Sequence, residues 1–293
     1  MKILITGCRG QLGTELQRQL SEEGCAIGPL PERLRKATVI PVDVDELDIT
    51  DREATINYIR RHQPDTVINC AAFTNVDKAE DEPEAAELAN HLGAKWLAKY
   101  GKCIIHISTD YVFDGIHHIP YVEDDMTNPV SVYGKTKLEG EQAVMAHADT
   151  AVVIRTAWVY CAHGNNFVKT MLRLGKERQS LNVVYDQIGS PTFAGDLAAA
   201  IVAILPQIRS GQKAVYHYTN EGVCSWYDFA VAIMEIAGLS CEVNPIGSDG
   251  YPTKAKRPYY SVLNKAKIRR DFNVKIRHWR RRSCRSYRIP SLT

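Results

Sequence analysis

The sequence predicts an α/β fold: a doubly wound parallel sheet followed by a smaller C-terminal lobe. Two observations predict it. A short apolar run at 2–6 leads into a glycine-rich turn and then into a helical pattern. Apolar runs and helical patterns then alternate through the first half of the chain, as they do in successive strand–helix–strand units of a parallel sheet.

The glycine-rich turn predicts a phosphate-binding site. Lys2–Thr6 has the apolar pattern of a buried strand, and three glycines follow it at three-residue steps. Gly7 would allow a tight turn, Gly10 would let a diphosphate approach the backbone, and Gly13 would let helix and strand pack closely. The free amides at the start of the next helix favour an anion. This strand–turn–helix unit predicts a Rossmann-type dinucleotide site.

The residues after the second strand bear on the choice of dinucleotide. Asp43 follows the strand expected at 39–42, and its carboxylate can accept the adenosine ribose hydroxyls and repel a 2′-phosphate. Arg9, beside the glycine turn, could instead pair with a 2′-phosphate. The two signals oppose each other, so NADPH and NADH both stay open, with a slight lean to NADH. Asp48 and Ile49 are expected near the adenine.

Further strands are expected at 66–69, 104–108 and 151–156, and helices at 52–61, 83–100 and 131–146. Ligands of such sheets bind beyond the carboxyl ends of the strands. The segments that follow the strands are therefore expected to line one site. They are Ala71, Ala72, Phe73 and Thr74, then Thr109, Asp110 and Tyr111, then Ala157 and Trp158.

Tyr133 and Lys137 are four residues apart on a predicted helix, so their side chains share one face. A tyrosine has an ordinary pKa of about 10, and a nearby ammonium would lower that pKa and ease proton exchange. Lys137 would also hold the nicotinamide ribose, and Thr109 could hydrogen-bond the carbonyl oxygen that Tyr133 protonates. The pattern predicts hydride transfer between a nicotinamide cofactor and a carbonyl or alcohol, with Thr109, Tyr133 and Lys137 as catalytic residues.

Over about residues 1–275, the motifs resemble those of the extended short-chain dehydrogenase/reductase superfamily, and within it those of the dTDP-4-dehydrorhamnose reductase family. The motifs that carry this resemblance are GxxGQLG at 7–13, LDITD at 47–51, CAAFTNVDKAE at 70–80, STDYVFDG at 108–115, NPVSVYGKTKLEGE at 128–141, RTAWVY at 155–160, GNNFVKTMLRLGKER at 164–178 and DQIGSPT at 186–192.

The resemblance implies NAD(P)H-dependent reduction of a 4-keto sugar nucleotide, dTDP-4-dehydro-L-rhamnose, to dTDP-L-rhamnose for cell-surface polysaccharide. It places Thr109, Asp110 and Trp158 against the sugar nucleotide, and Arg257 is a candidate for its diphosphate. The cofactor contacts that it implies are Gly10, Gln11, Leu12, Gly13, Asp48, Ile49, Ala71, Ala72 and Phe73. The alternatives are a nucleotide-sugar epimerase or dehydratase on the same scaffold, and a non-catalytic regulatory subunit of the methionine adenosyltransferase type.

The chain divides into two expected domains. Residues 1–155, rejoined by about 183–220, would bind NAD(P), and residues 156–182 and 221–293 would form the substrate-binding lobe. The tail departs from the family. From Trp279 it is basic and lacks helical apolar spacing, so residues 280–293 are typical of a disordered tail or a shifted reading frame.

Composition excludes several other classes. No apolar run approaches the roughly 18 residues that span a bilayer. The chain begins in a core strand, so no signal peptide is expected, and eight scattered cysteines are typical of free thiols in the cytoplasm. No nucleic-acid module accompanies the basic tail. Some family members use Mg²⁺ at a dimer contact, but only Glu15 matches that arrangement, so no metal site is predicted and a homodimer stays open.

Overall fold

The computed structural model describes residues 1–21, 24–25 and 28–280, with the backbone alone at 24, 25 and 28. Its strands are Lys2–Thr6 (β1), Gly24–Cys25 (β2), Gly28–Pro29 (β3), Thr38–Val42 (β4), Thr66–Asn69 (β5), Cys103–Thr109 (β6), Thr150–Thr156 (β7), Val159–Tyr160 (β8), Ser180–Val184 (β9), Ile188–Gly189 (β10), Thr192–Phe193 (β11), Lys213–His217 (β12), Cys224–Ser225 (β13) and Glu242–Ile246 (β14).

The α-helices are Gln11–Ser21 (α1), Arg52–His62 (α2), Val76–Asp81 (α3), Pro83–Glu87 (α4), Gly93–Tyr100 (α5), Val132–His147 (α6), Phe167–Glu177 (α7), Ala194–Ile204 (α8), Trp226–Ala237 (α9) and Ala266–Phe272 (α10). A π-helical turn, Leu88–Leu92, joins α4 to α5. Short 3-10 turns lie at Glu32–Leu34, Asp110–Val112, Leu205–Gln207 and Ser248–Gly250.

The predicted doubly wound parallel sheet is confirmed. Within the described residues, six strands pair in the order β12-β7-β6-β5-β1-β4, and every pair is parallel. From β1 the chain passes first to β4 on one side and then to β5 on the other, so the strand order reverses between β1 and β5. Ligands of such sheets bind in the crevice at this reversal, beyond the carboxyl ends of the strands.

Two hydrophobic layers cover the sheet because successive strand residues point to opposite faces. Ile3 and Ile5 of β1 pack with the buried faces of α1, α8 and α10. Leu4, between them, belongs to the opposite layer with residues of α2, α5 and α6. Helix α8, which the sequence patterns do not predict, is buried almost throughout and packs on α1.

Several elements of the second half of the chain form a second cluster beside the sheet. Among the described residues, α7 and α9 pack together, and three short strand pairs, β8 with β11, β9 with β14 and β10 with β13, surround them. Their core is rich in aromatic rings, among them Phe229 and Trp279. The chain returns to the large sheet at β12, and residues 281–293 of the expected disordered tail lie outside the described residues.

The helix expected over 83–100 is interrupted. The π-helical turn lies in its middle and carries Asn90, whose side chain is fully buried. Asn90 Oδ1 accepts the amide of Phe73 at 2.9 Å, and Asn90 Nδ2 donates to the Phe73 carbonyl at 3.1 Å. Asn90 Nδ2 also lies 3.1 Å from Thr136 Oγ1 of α6. A buried amide needs such partners, and the wider turn reaches them.

A buried ion pair fixes α6 to the sheet. Arg155 of β7 is 4% exposed and Glu141 of α6 is 3% exposed. Arg155 Nη2 donates to Glu141 Oε2 at 2.8 Å, and Arg155 Nε donates to Glu141 Oε1 at 3.0 Å. The guanidinium also donates to the carbonyl of Glu123 and lies 5.0 Å from the Phe113 ring centroid. Removal of either partner would leave a buried charge without compensation.

Two observations bear on the environment of the chain. The six cysteines with described side chains, at 8, 70, 103, 161, 224 and 241, are free. Cys25 and Cys284 lie outside the described side chains. Across the described ranges, no helix combines the length and the apolar character needed to cross a membrane.

The buried pair yields a stability prediction. We expect Glu141→Gln to lower the free energy of unfolding by about 3–5 kcal/mol, because Arg155 loses its counter-charge in a buried position. Glu139→Gln, on the same helix, is the control, since Glu139 is partly exposed and its contacts with Lys135 and Glu87 lie at the surface side of the helix. The Glu139→Gln substitution should alter the free energy of unfolding by no more than about 1 kcal/mol. Urea unfolding of the three proteins measures both values, and equal losses would contradict the importance of the buried pair.

Candidate active site

A cleft of about 810 Å³ runs along the carboxyl ends of the sheet strands. It extends from the glycine turn after β1 to the start of α6 and the edge of the second cluster. All the site residues expected from the sequence line it: Gly7, Gly10, Gln11, Leu12, Gly13, Asp43, Asp48, Ile49, Ala71, Ala72, Phe73, Thr109, Asp110, Tyr133, Lys137, Trp158 and Arg257.

The glycine turn forms a cradle at one end of the cleft. Gly7 has φ +63°, a left-handed conformation that favours glycine, and a Cβ there would lie 2.7 Å from the Ala71 amide nitrogen. A Cβ on Gly13 would lie 2.3 Å from the Gly7 carbonyl oxygen. Helix α1 begins at Gln11, so its free amides open onto the same space. Bare backbone and a helix start together form a surface that fits the diphosphate of a dinucleotide.

Asp43 shapes the loop that borders this cradle. Its Oδ2 accepts the backbone amide of Arg9 at 2.9 Å, and its Oδ1 accepts the amide of Val44 at 3.0 Å. The Arg9 guanidinium turns to Asp45 at 2.5 Å and to Glu46 at 2.8 Å. Arg9 is therefore already paired with two carboxylates. A 2′-phosphate would have to compete with Asp45 and Glu46 for it.

The next part of the cleft wall is fixed by Asn90. Phe73 is held by hydrogen bonds from both of its backbone groups to the Asn90 side chain, which also contacts Thr136 of α6. The cofactor-side loop and α6 are therefore joined through one buried amide. Sequence reasoning did not single out Asn90, because a polar residue inside a helical pattern carries no signal of its tertiary partners.

Helix α6 places Tyr133 and Lys137 in the cleft. Ser131 caps the helix by accepting the Gly134 amide at 3.2 Å, and Glu80 Oε1 accepts the Val132 amide at 2.9 Å. Lys137 is buried, and its Nζ donates to the carbonyl of Ile107 at 2.6 Å. Tyr133 lies edge-on to the ring of Tyr111, with centroids 5.5 Å apart.

Burial is the largest cause of the pKa shifts of Tyr133 and Lys137. Burial raises the pKa of Tyr133 well above its usual value; a hydrogen bond with Thr109 lowers it in part, and Asp110 and Tyr111 raise it further. Besides burial, the groups that shift this pKa are Thr109, Asp110 and Tyr111, and the lowering by Lys137 expected from the sequence stays a prediction. Burial lowers the pKa of Lys137 itself to about 8. At neutral pH the pair therefore consists of a neutral phenol and a largely protonated amine.

Thr109 and Asp110 lie at the end of β6 beside Tyr133. Thr109 Oγ1 donates to Asp110 Oδ1 at 3.0 Å and accepts the Tyr111 amide at 3.2 Å. Burial raises the pKa of the Asp110 carboxyl to about 6, although hydrogen bonds from Ser261 and Thr109 lower it in part. This places a carboxyl that titrates near neutrality next to the hydroxyl expected to contact a carbonyl oxygen.

Trp158 forms an aromatic wall with a residue that the sequence analysis missed. Its ring stacks on Trp226 at the start of α9, with centroids 3.5 Å apart and planes 9° apart. Trp158 has φ +50°, an uncommon conformation for a bulky side chain. A Cβ on Gly189 would lie 2.6 Å from the indole, so Gly189 leaves the room that the ring occupies. Backbone strain of this kind is concentrated at binding sites, which supports a ligand-facing role for Trp158.

Arg257 reaches the cleft from the C-terminal part of the chain. Its Nη2 donates to Asp77 Oδ2 at 2.6 Å, and its Nη1 donates to the Tyr111 hydroxyl at 3.3 Å. Asp77 belongs to α3, directly after the cofactor-side loop, so Arg257 joins two segments distant in sequence. The sequence gives no indication that Asp77 and Tyr111 are the partners of Arg257.

Glu15, the carboxylate considered as a metal ligand, is paired with an arginine instead. Glu15 is 4% exposed and accepts from Arg18 Nη2 at 2.9 Å. It lies at the packed contact of α1 with α8, where a Cβ on Gly195 would come within 3.0 Å of it. A carboxylate that is paired and packed in this way does not fit an open metal site.

Comparisons with known proteins agree with the geometry. The model of the RmlD substrate binding domain family matches residues 1–288. A dTDP-4-dehydrorhamnose reductase of Aggregatibacter actinomycetemcomitans is 41% identical, over 96% of this chain and 96% of that protein. A solved dTDP-4-dehydrorhamnose reductase of Clostridium acetobutylicum has a TM-score of 0.89 at 43% identity, and the match covers 98% of each chain. The enzyme of the same name from Bacillus anthracis, solved in complex with NADP, has a TM-score of 0.88 at 36% identity and 98% coverage of each chain.

The buried Asp110 carboxyl gives a pH prediction. Because its pKa is raised to about 6 in the folded protein, its contribution to stability is present below the unfolded pKa and is lost as pH rises through about 6. Asp110→Asn removes this dependence. The difference in unfolding free energy between wild type and variant should move in favour of wild type by ~2 kcal/mol between about pH 7 and pH 4. Urea unfolding at several pH values measures it, and a constant difference would contradict the assignment.

Proposed function

The chain belongs to the RmlD substrate binding domain family, and from this premise we propose that it reduces dTDP-4-dehydro-L-rhamnose to dTDP-L-rhamnose. It is an NAD(P)H-dependent oxidoreductase of the extended short-chain dehydrogenase/reductase type. The single observation that carries the proposal is the cleft, which brings a glycine cradle, the Tyr133–Lys137 face of α6 and the Trp158–Trp226 wall into one space.

The cofactor fits the cradle end of the cleft. Gly7 and Gly13 have no room for a side chain, because a Cβ on either residue would clash with backbone atoms. The backbone beside the start of α1 is therefore exposed to the cleft, and its amides suit a diphosphate. When bound, the reduced nicotinamide supplies hydride to the carbonyl carbon. We propose that Gly7, Gly10, Gln11, Leu12, Gly13, Asp43, Asp48, Ile49, Ala71, Ala72, Phe73, Tyr133 and Lys137 contact it.

We propose that either NADPH or NADH serves as the hydride donor. Asp43 stands where a carboxylate can meet the adenosine ribose, and Arg9 is occupied by Asp45 and Glu46, which supports use of NADH. The NADP complex of the relative from Bacillus anthracis supports use of NADPH.

The proton comes from Tyr133. A raised pKa keeps its phenol neutral, so the O–H is present to protonate the oxygen at C4 as negative charge develops there. Thr109 stabilises the same oxygen through its hydroxyl. Lys137, held by the Ile107 carbonyl, keeps a positive charge near the nicotinamide end of the cleft. We propose Thr109, Tyr133 and Lys137 as the catalytic residues.

The sugar nucleotide would lie between the lobe and the sheet. We propose that Thr109 and Asp110 face the sugar, that Trp158 covers an apolar face of the ligand, and that Arg257 holds the diphosphate. An indole offers one apolar face and one N–H donor, and a guanidinium can pair with an anionic oxygen through two donors. Trp226, which stacks on Trp158, sets the position of that indole.

The organisation of the chain follows from these roles. We propose that residues 1–155, rejoined by about 183–220, form the NAD(P)-binding domain, and that 156–182 and 221–293 form the substrate-binding lobe. We also propose a cytoplasmic location, which the free cysteines support. The proposed ligand is a dTDP-4-keto sugar, and we propose that the protein binds neither nucleic acid nor a membrane. A homodimer is compatible with the proposal, whereas Mg²⁺ has no support at Glu15, which is paired with Arg18 and packed near Gly195.

The alternatives have less support. A dehydratase would be expected to carry a second acid beside Asp110, where this chain has Tyr111. A regulatory subunit would not need the Tyr133–Lys137 pair, which is intact and faces the cleft.

The proposal is tested by cofactor oxidation with substrate generated in situ from dTDP-glucose by a dehydratase and a 3,5-epimerase. We expect loss of nicotinamide absorbance only when the epimerase is present. Turnover without the epimerase would indicate a different 4-keto sugar. No turnover with either cofactor, from protein shown to be folded, would contradict the proposed function.

Substitutions on α6 test the catalytic roles. Tyr133→Phe and Lys137→Ala should lower kcat by roughly 10²-fold or more, because the first removes the proton donor and the second removes the positive charge at the nicotinamide end of the cleft. Lys135→Ala is the matched control on the same helix, since its side chain is 70% exposed. It should leave kcat within about twofold, as for an ordinary surface charge. Near-normal turnover by Tyr133→Phe would refute the assignment of Tyr133 as the acid.

A further inference from the structure

The loop that carries Arg257 is attached to α3 by two acidic residues of that helix. Asp77 accepts from both Arg257 Nη2, at 2.6 Å, and the Ala255 amide, at 3.0 Å. Asp81, one turn later, pairs with Lys254. One carboxylate, that of Asp77, therefore contacts the loop backbone and the guanidinium at the same time.

The position of Asp77 depends on the cofactor-side loop. Asn75 caps α3 by accepting the Lys78 amide at 3.0 Å, and the two residues before Asn75 line the cleft. Phe73 is fixed on both of its backbone groups by Asn90. A short, capped helix whose preceding loop is fixed in this way holds Asp77 in place relative to the cleft.

Arg257 keeps donors free in this arrangement. A guanidinium carries five N–H groups, and two of them point to Asp77 and Tyr111. Within the part of the chain that the structure describes, the others have no hydrogen-bond partner. Arg257 lines both the large cleft and a neighbouring pocket of about 320 Å³ that includes Lys254, Lys256 and Tyr259. The guanidinium thus stands between two spaces with donors available to each.

We infer that Asp77 is the positioning residue for Arg257: it holds the guanidinium at the cleft, and so sets the affinity for the diphosphate of the sugar nucleotide. The inference rests on the proposed role of Arg257 in the function above. The Asp77 carboxylate has two opposite effects, since its charge repels a diphosphate while its hydrogen bond fixes the side chain that attracts one. Orientation should dominate, because a free arginine loses considerable rotamer freedom on binding.

Asp77→Asn isolates the contact. The asparagine oxygen can still accept the Ala255 amide, whereas its NH₂ group cannot accept from Arg257. We expect the KM for the sugar nucleotide to rise roughly tenfold, with kcat within about threefold of wild type, as for loss of one charge-assisted hydrogen bond in a binding step. Steady-state kinetics at saturating cofactor measure both constants. A KM at or below that of wild type would overturn the inference, because charge repulsion would then dominate.

Asp81→Asn is the matched control on the same helix. Asp81 and Lys254 form a pair whose side chains are 52% and 55% exposed, so its loss should leave KM within about twofold. The double variant Asp77→Asn, Arg257→Gln completes a cycle. We expect the KM of the double variant to be no higher than that of Arg257→Gln alone, because Asp77 acts through Arg257. Additive losses would show that Asp77 acts by another route.

Binding of dTDP, measured by calorimetry without cofactor, tests the role of Asp77 separately from the proposed function. Wild type should bind dTDP roughly tenfold more tightly than Asp77→Asn, and Asp81→Asn should match wild type. If wild type fails to reduce the keto sugar while this order of affinities holds, the proposed function fails and the role of Asp77 stands. If wild type turns over and all three proteins bind dTDP equally, the role of Asp77 is wrong and the function stands.

Discussion

The active site depends on the close contact of α6 with the sheet and with the π-helical turn. A Cβ on Gly140 would lie 2.1 Å from the Asn90 carbonyl oxygen, and one on Gly134 would lie 2.2 Å from that of Tyr111. The buried Glu141–Arg155 pair fixes the same helix from the sheet side. Because Tyr133 and Lys137 lie on this helix, the residues that hold the backbone close also determine where these two side chains meet the cleft.

This contact bears on the proposed role of Tyr133 as the acid. Burial favours the neutral phenol of Tyr133, and the Lys137 ammonium donates to the Ile107 carbonyl. A reductase needs the protonated form, since the step is the delivery of a proton to a developing alkoxide. The burial of Tyr133 is therefore consistent with the proposed reduction.

Local sequence patterns were sufficient to predict the sheet, the glycine turn and most of the segments that line the cleft, whereas Gln11, Leu12 and Arg257 came from the family resemblance. Strand periodicity identified β1, β5 and β7, and helical spacing placed α2 and α6. Helix α8 was not predicted, because a helix that is apolar on every side has no amphipathic period. The π-helical turn, the left-handed Trp158 and the Asp77–Arg257 contact were missed for another reason. Each depends on partners distant in sequence, such as Phe73 for Asn90 and Gly189 for Trp158.

The central claim is that hydride reaches C4 of a dTDP-linked keto sugar in this cleft while Tyr133 protonates the oxygen. The most direct measurement uses reduced cofactor carrying deuterium at the transferable nicotinamide position, followed by NMR of the sugar nucleotide formed. The account predicts deuterium at C4 of a rhamnose product, with one cofactor oxidised for each sugar reduced. A product labelled at another carbon, or one formed without net oxidation of the cofactor, would contradict it.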